Sequence, residues 1–407
     1  MPRVSPIRQR HLEAEASLLP YGPENSPVEL VETFGELELE YAAVRKFAAL
    51  LDLPSRALVR VRGADRLDFL NRMLTRELLG KAPLTPHHTR RSFWLNRKGR
   101  IDADLRLIEL DDHTLLELDT FSVEHTIETL TNFVFTEDVA FEDATPELHR
   151  LALHGPNAFE LLQHLATHAR GVPLAELNNA DVSEIEIDGI PVTVFREDTA
   201  GVPGLELITP AERTSEVYAK LCDAGQPLDD DGRMASVHAN ADTLAARVRL
   251  RPIGWHAYNI ARIEAGTPLF MLDFGPTNLP AETGVLNDRV NFDKGCYLGQ
   301  EVVARMHSLG KPKQVLVALK LQGQHARDAQ GHARQAVTGA QVFLTGDAGG
   351  DVIGAVTSST ISPMLGASAI AFAMVKTKHA EPGQKLTVAA EGEFVEAEVQ
   401  PALRTLP

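Results

Sequence analysis

The sequence predicts an α+β protein of several lobes that ends in a small β-barrel, and three features lead to that class. Strand-like and helix-like patterns alternate over the first half without the long apolar runs of a parallel sheet. Residues 148–231 run strand, helix, two strands, strand, helix, the order of a split βαβ sandwich. From about Lys313 the chain breaks into short strands separated by Gly, Asp and Pro, which suits a small barrel. A chain of 407 residues leaves room for roughly two to four structural units.

Taken in order, residues 1–27 are rich in Pro, Arg and Glu and read as a loose arm. From Leu37, the side chains Tyr41, Val44, Phe47, Ala48 and Leu51 recur on one helical face until Pro54. A strand over Ala57–Val61 leads into a helix carrying Leu67, Phe69, Leu70, Met73 and Leu74. Strands over Arg91–Leu95 and Ile101–Leu110 are joined by Asn96-Arg97-Lys98-Gly99, a turn composition. Residues 114–119 alternate as a strand, and Ser122 opens a helix through Val134.

The second unit reads as a strand (Leu148–Leu153), a helix (Pro156–His168), three strands (Val182–Ile187, Pro191–Arg196, Leu205–Thr209) and a helix (Glu212–Ala224). Leu228–Asp242 is a polar linker, and helix returns near Ile253–Glu264. The expected organisation is therefore 28–147 together with 243–312 as one domain, 148–242 as a ferredoxin-like α+β domain, and 313–407 as the barrel.

Composition excludes several classes. Hydrophobic residues make up 44% and charged residues 24%, an ordinary globular balance. With 56 acids against 40 bases the net charge is −16, unsuited to nucleic acid or to an anionic membrane surface. Cys222 and Cys296 form no C-x-x-C pair and no disulfide framework. No secretory signal pattern opens the chain, and no apolar stretch reaches spanning length, so a cytoplasmic protein is expected. Phosphate-loop and dinucleotide fingerprints are absent.

The most specific segment is Lys294-Gly295-Cys296-Tyr297-Leu298-Gly299-Gln300-Glu301, followed by a helical pattern that Gly310 caps. A thiol near a lysine and ahead of a helix can be held as a thiolate. The competing reading is a small buried hydrophobe. This segment resembles the K-G-C-Y-x-G-Q-E signature of YgfZ-type proteins, relatives of the glycine-cleavage T protein (aminomethyltransferase). Asn278–Gly284, Val290-Asn291-Phe292, Arg262–Gly266, Gly201–Leu207, Gly354–Ser358 and Pro363 resemble further elements of that family, so the likeness runs from about Glu40 onward.

The resemblance implies a multi-lobed, T-protein-like fold around a funnel that holds tetrahydrofolate or a one-carbon derivative. It assigns Glu206 to the pterin ring, Arg262 to the folate pocket, and Lys294 and Tyr297 to cofactor contact. The chemistry is apt, since a carboxylate can accept two parallel N–H donors and an arginine fork can pair with a carboxylate or carbonyl. True T proteins carry two adjacent aspartates after a lysine–glycine pair and usually lack the signature cysteine. Here the run is Lys98-Gly99-Arg100-Ile101-Asp102-Ala103-Asp104, with the pair broken by Ala103. Strand alternation leaves Asp104 able to face a ligand where Ala103 cannot.

Both departures favour the YgfZ-type branch, for which the resemblance implies iron–sulfur client proteins as partners and Cys296 as the working group. The alternative is a folate-dependent aminomethyltransferase or demethylase that relies on Asp104. Weaker signals are His164 and His168 at helical spacing, His87-His88 in a loop, and Arg60, Arg62 and Arg66, each expected to be a solvated surface feature.

Overall fold

In the computed structural model, residues 3–225 and 249–405 are described. The linker expected over Leu228–Asp242 lies outside them. The elements in chain order are α1 (Arg8–Glu13), β1 (Ser17–Pro20), β2 (Glu29–Thr33), α2 (Leu37–Lys46), β3 (Ala48–Asp52), β4 (Arg56–Arg62), α3 (Arg66–Met73), β5 (His88–Leu95), β6 (Ile101–Glu109) and β7 (Thr114–Asp119). There follow α4 (Val123–Thr131), β8 (Ala140–Asp143), β9 (Leu148–His154), α5 (Ala158–Leu165), β10 (Ala166–Gly171), β11 (Val182–Ile187), β12 (Ile190–Arg196), β13 (Gly204–Pro210), α6 (Thr214–Ala224), β14 (Leu250–Ile253), α7 (Trp255–Ala265), α8 (Leu286–Arg289) and α9 (Gln300–Leu309). The remaining strands are β15 (Gln314–Gln322), β16 (Gln341–Leu344), β17 (Gly354–Ser362), β18 (Ser368–Lys376), β19 (Lys385–Ala390) and β20 (Glu393–Val399).

These residues form two compact units, one built from the described residues of 1–92 and 104–258 and the other from those of 93–103 and 259–407. The first holds a seven-stranded sheet in the order β10-β11-β12-β13-β9-β3-β14. A five-stranded sheet in the order β5-β6-β7-β4-β8 accompanies it, with the tip of its β5–β6 hairpin assigned to the second unit.

Alternation sorts each strand of the large sheet onto two faces. Leu151, Leu153, Val192, Val194, Leu205 and Leu207 point one way, against Leu161 and Leu162 of α5 and Val217 and Leu221 of α6. The opposite face brings Val182, Phe195 and Ile208 onto Leu58, Ile108 and Leu115 of the small sheet. At about 25 cal/mol per Å² of apolar area, burying one Leu- or Phe-sized side chain contributes roughly 1.5–3 kcal/mol. These two layers therefore hold the sheets in fixed register.

The second unit ends in a closed barrel, β15-β18-β17-β16-β19-β20, as the short C-terminal strands predict. Its interior is filled by small and branched residues such as Val317, Leu319, Ala371, Ala373, Val388 and Val395. Outside it, Leu316, Ala318, Ile370 and Phe372 pack on Ile263 of α7.

Three sequence expectations need correction. Residues 3–27 are not a loose arm, because α1 and β1 form there and Ile7 is buried among the α5, α6 and large-sheet side chains. One apolar anchor among polar neighbours leaves no period to detect. The helix read through Leu51 stops at Lys46, and Ala48–Asp52 is a strand buried at all five positions between β9 and β14. A strand covered on both faces is continuously apolar and mimics a helix end. The helix read through His168 ends at Leu165, with His168 on edge strand β10, so His164 and His168 do not share a helix.

Candidate functional site

Across β4–β7, Arg56 pairs with Asp119 and Leu58 with Glu117, and across β6–β7 Arg106 pairs with Glu117. Ladder partners share a face, as do residues two apart. Arg56, Glu117, Asp119, Arg106 and Asp104 therefore stand on one face of the small sheet. On the large sheet Phe195 pairs with Glu206, Glu206 with Ala152, and Ile208 with Arg150, so Phe195, Glu206 and Arg150 share the face turned toward them.

Arg150 joins the two sheets. Its Nη1 lies 2.7 Å from Glu117 Oε1, and its Nη2 donates to Glu206 Oε2 at 2.5 Å. Arg56 Nε donates to Glu117 Oε1 at 2.5 Å. Arg106 and Arg91 both pair with Glu197, the former at 3.0 Å. The Phe195 ring lies between two guanidinium groups, with Arg106 Cζ 4.9 Å and Arg150 Cζ 5.0 Å from its centroid. Such desolvated cation–π contacts contribute about 2 kcal/mol each. His154, on the same strand as Arg150, stacks on Tyr258 with centroids 5.4 Å apart and planes 23° from parallel.

The carboxyl groups of this cluster titrate apart. Burial pushes half-buried Asp104 up to about 6, Arg91 and Arg56 opposing the rise and the charge of Glu117 adding to it. Glu117 is also raised by burial, but Arg56 and Arg150 outweigh that and hold it well below the usual carboxylate range. Two carboxyls pushed apart by their surroundings can divide the work, one exchanging a proton near neutrality while the other stays charged. Ala103 is buried on the opposite face of β6, as alternation requires.

The other sequence candidates belong to the second unit. Arg262 is 1% exposed, and its donors are taken locally. Nε reaches Asn259 Oδ1 at 2.9 Å, Nη2 reaches Ser358 Oγ at 2.6 Å, and Nη1 pairs with Asp273. Tyr297 is buried among Phe93, Ile101, Phe270, Phe274 and Val303, and burial pushes its hydroxyl up to about 12. Lys294 Nζ sits 5.3 Å over the Tyr297 ring. Cys296 is exposed, four residues before α9 begins. Gly299 explains one feature of the signature. Its φ is +80°, and a Cβ there would stand 3.0 Å from Gly99 Cα and 2.8 Å from Asn96 O, so only glycine lets the start of α9 meet the β5–β6 turn.

Arg62 is exposed and pairs with Glu142, as a solvated face requires, but Arg60 is buried between Glu142 and Glu147 and half-buried Arg66 pairs with buried Glu109, so those two are not solvated. His87 lies in the turn before β5, as expected of a loop, while His88 opens the strand; His87 Nε2 lies 2.8 Å from Glu184 Oε2, and with Asp111 it forms a His/Asp/Glu group. Arg170 neutralises Asp111 at 3.2 Å. The sequence reading also missed Arg56, Arg91, Glu117, Arg150 and His154. Charged residues inside alternating strands were the available signal, but which face is covered is not written in a strand.

The fold and this cluster define a two-unit α+β protein with a C-terminal barrel and a buried acid–arginine centre in its first unit. Residues 7–294 match the GCVT N-terminal domain and residues 316–403 match the glycine cleavage T-protein C-terminal barrel domain, so the chain belongs to the glycine-cleavage T-protein family. The family binds tetrahydrofolate. The chain is 24% identical to the aminomethyltransferase of Desulfitobacterium hafniense over 98% of this chain and 97% of that one. It is 28% identical to the probable aminomethyltransferase of Natronomonas pharaonis over 98% of each. The fold matches the glycine cleavage system aminomethyltransferase T from Bartonella henselae with a TM-score of 0.79, at 22% identity, over 100% of this chain and 98% of that one. Among the described residues no helix is long and apolar enough to cross a membrane.

Proposed function

We propose that the chain is a tetrahydrofolate-dependent one-carbon transferase, of aminomethyltransferase or demethylase type, working at the acid–arginine centre of the first unit. The observation that carries this reading is Asp104, a carboxyl lifted to about 6 beside Glu117, which stays ionised. A general acid or base is most effective with its pKa near the working pH. The donor set suits the ligand, because Arg150 takes Glu206 Oε2 and leaves the other oxygen outside that ion pair to accept from an aminopyrimidine edge. Tetrahydrofolate supplies the amine nitrogens that take up the one-carbon unit. Asp104 takes or returns the proton at the reacting amine, and the arginines keep Glu117 charged while Arg150 holds Glu206 Oε2. In the second unit Arg262 acts through Asp273 and Ser358, while Lys294 and Tyr297 set the signature segment that carries Cys296.

The test is calorimetric titration of tetrahydrofolate, with methylene-tetrahydrofolate formation measured from aminomethylated amines and methyl-tetrahydrofolate formation measured from N-methylated ones. Asp104→Asn is expected to bind folate but to lose about 10²–10⁴ in rate. Glu206→Ala is expected to lose binding. A wild-type protein that binds no folate overturns the reading.

A second reading is favoured by one observation, the Lys294–Glu301 segment with its exposed thiol. A YgfZ-type protein would use Cys296 with the bound folate to maintain iron–sulfur client proteins. Two cysteines cannot supply the four ligands of a common cluster, so the client would provide the rest. In cells lacking the chain, Cys296→Ala would then fail to restore iron–sulfur enzyme activity while Asp104→Asn succeeds; the opposite pattern supports the transferase.

A further inference from the structure

His154 closes β9 at 1% exposure, and among the described residues neither ring nitrogen has a hydrogen-bond partner. Burial pushes its pKa down, against the pull of Glu206 and Asp198, so the ring is neutral and carries one donor and one acceptor. Buried polar atoms are nearly always paired, and an exception in a native fold calls for an explanation. In the same acid–arginine cluster the Nε atoms of Arg91, Arg106 and Arg150 are also buried without a partner among the described residues.

The position is built. His154 pairs with Gly204 in the β9–β13 ladder, and Ala152 pairs with Glu206, which puts His154 and Glu206 on one face a single alternate position apart. Tyr258 stacks on the ring. A Cβ on Gly204 would come within 2.8 Å of His154 Nδ1 and 2.2 Å of Glu197 O, so glycine is what admits the imidazole there.

We propose that His154 is a recognition residue for the ring system of the reduced folate, supplying a donor and an acceptor beside the Glu206 carboxylate. A pterin presents carbonyl oxygen, ring nitrogen and N–H groups along its edges, and these are the atoms the site lacks. The inference rests on the folate reading above and names a further residue of that same site.

The test is calorimetric titration of tetrahydrofolate into wild type, His154→Phe and His154→Gln, with thermal midpoints recorded for all three. His154→Phe keeps a stacking ring and removes both polar atoms, and it is expected to weaken binding at least tenfold. His154→Gln restores a donor and an acceptor and is expected to recover affinity to within about threefold, a rescue that mere packing would not give. Wild-type affinity in His154→Phe overturns the proposal and leaves the folate reading intact. Equal losses in both variants at unchanged midpoint also overturn it, assigning His154 to packing. Absence of folate binding in the wild type overturns the folate reading and this inference with it.

Discussion

Arg150 and Arg262 are both large cations buried inside the fold, and they differ in how completely the protein satisfies them. Arg262 is tied to Asn259, Thr267, Asp273 and Ser358, with Phe372 under its guanidinium at 5.6 Å. Asp273 is itself held by the backbone N–H of Leu269 and the hydroxyl of Thr357. This knot is closed. Arg150 bridges Glu117 and Glu206, but among the described residues its Nε has no acceptor, as in Arg91 and Arg106. Burying a charge costs several kcal/mol, so a fold keeps one only where neighbours compensate it. The closed knot does that for stability, and the other is where the proposed function puts the ligand.

The contrast breaks most sharply at Asp273→Ala. Removing it takes the Asp273 carboxylate away from the buried Arg262 guanidinium, and the expected loss is about 3–5 kcal/mol in urea unfolding. A loss under about 1 kcal/mol would show that Arg262 is not held as a structural brace. At Glu206→Gln the order reverses. A neutral amide still accepts from Arg150, so stability is expected to fall by about 1 kcal/mol, while tetrahydrofolate affinity falls about 10- to 100-fold. Loss of stability without loss of affinity would make the Arg150 knot structural as well.

Asp104 sharpens the comparison through pH. Its folded pKa is raised from 3.8 to about 6, so the fold favours the protonated carboxyl. That contribution to stability is fully present below pH 3.8 and is lost as pH rises through about 6. Wild type should therefore lose stability relative to Asp104→Asn between those values, measured by denaturant midpoints. In the transferase assay the acid limb near pH 6 should disappear in Asp104→Asn. The smallest expected effect concerns the thiols. Burial pushes Cys222 up to about 12, whereas Cys296 is exposed. Disulfide reagent at pH 8 is expected to react quickly with one thiol per chain, to lose that reaction in Cys296→Ala, and to reach the second thiol only after unfolding.

Much of the local structure was legible. The helix starting at Leu37, the strand at Arg56–Arg62, the Asn96–Gly99 turn and the six barrel strands follow from periodicity and turn residues. What escaped was set by contacts across the chain. Ala48–Asp52 looks helical until β9 and β14 cover it on both sides. Ile7 is one apolar residue among charges until it fills a gap over the large sheet. Motif likeness pointed to Glu206 and Asp104, but not to Arg56, Arg91, Arg150 and His154, which come from three distant strands, β4, β5 and β9.

By itself the sequence determined residue chemistry and its short-range order. It set an acidic chain without a cysteine framework, the alternation that puts Asp104 opposite Ala103, and a signature whose Gly299 needs a left-handed backbone. Tertiary structure alone decided which charges face each other and how dry their surroundings are. Asp104 rises to about 6 and Glu117 falls because burial acts on both while the arginines reach them unequally, and Coulomb energy depends on distance and dielectric rather than on position in the chain.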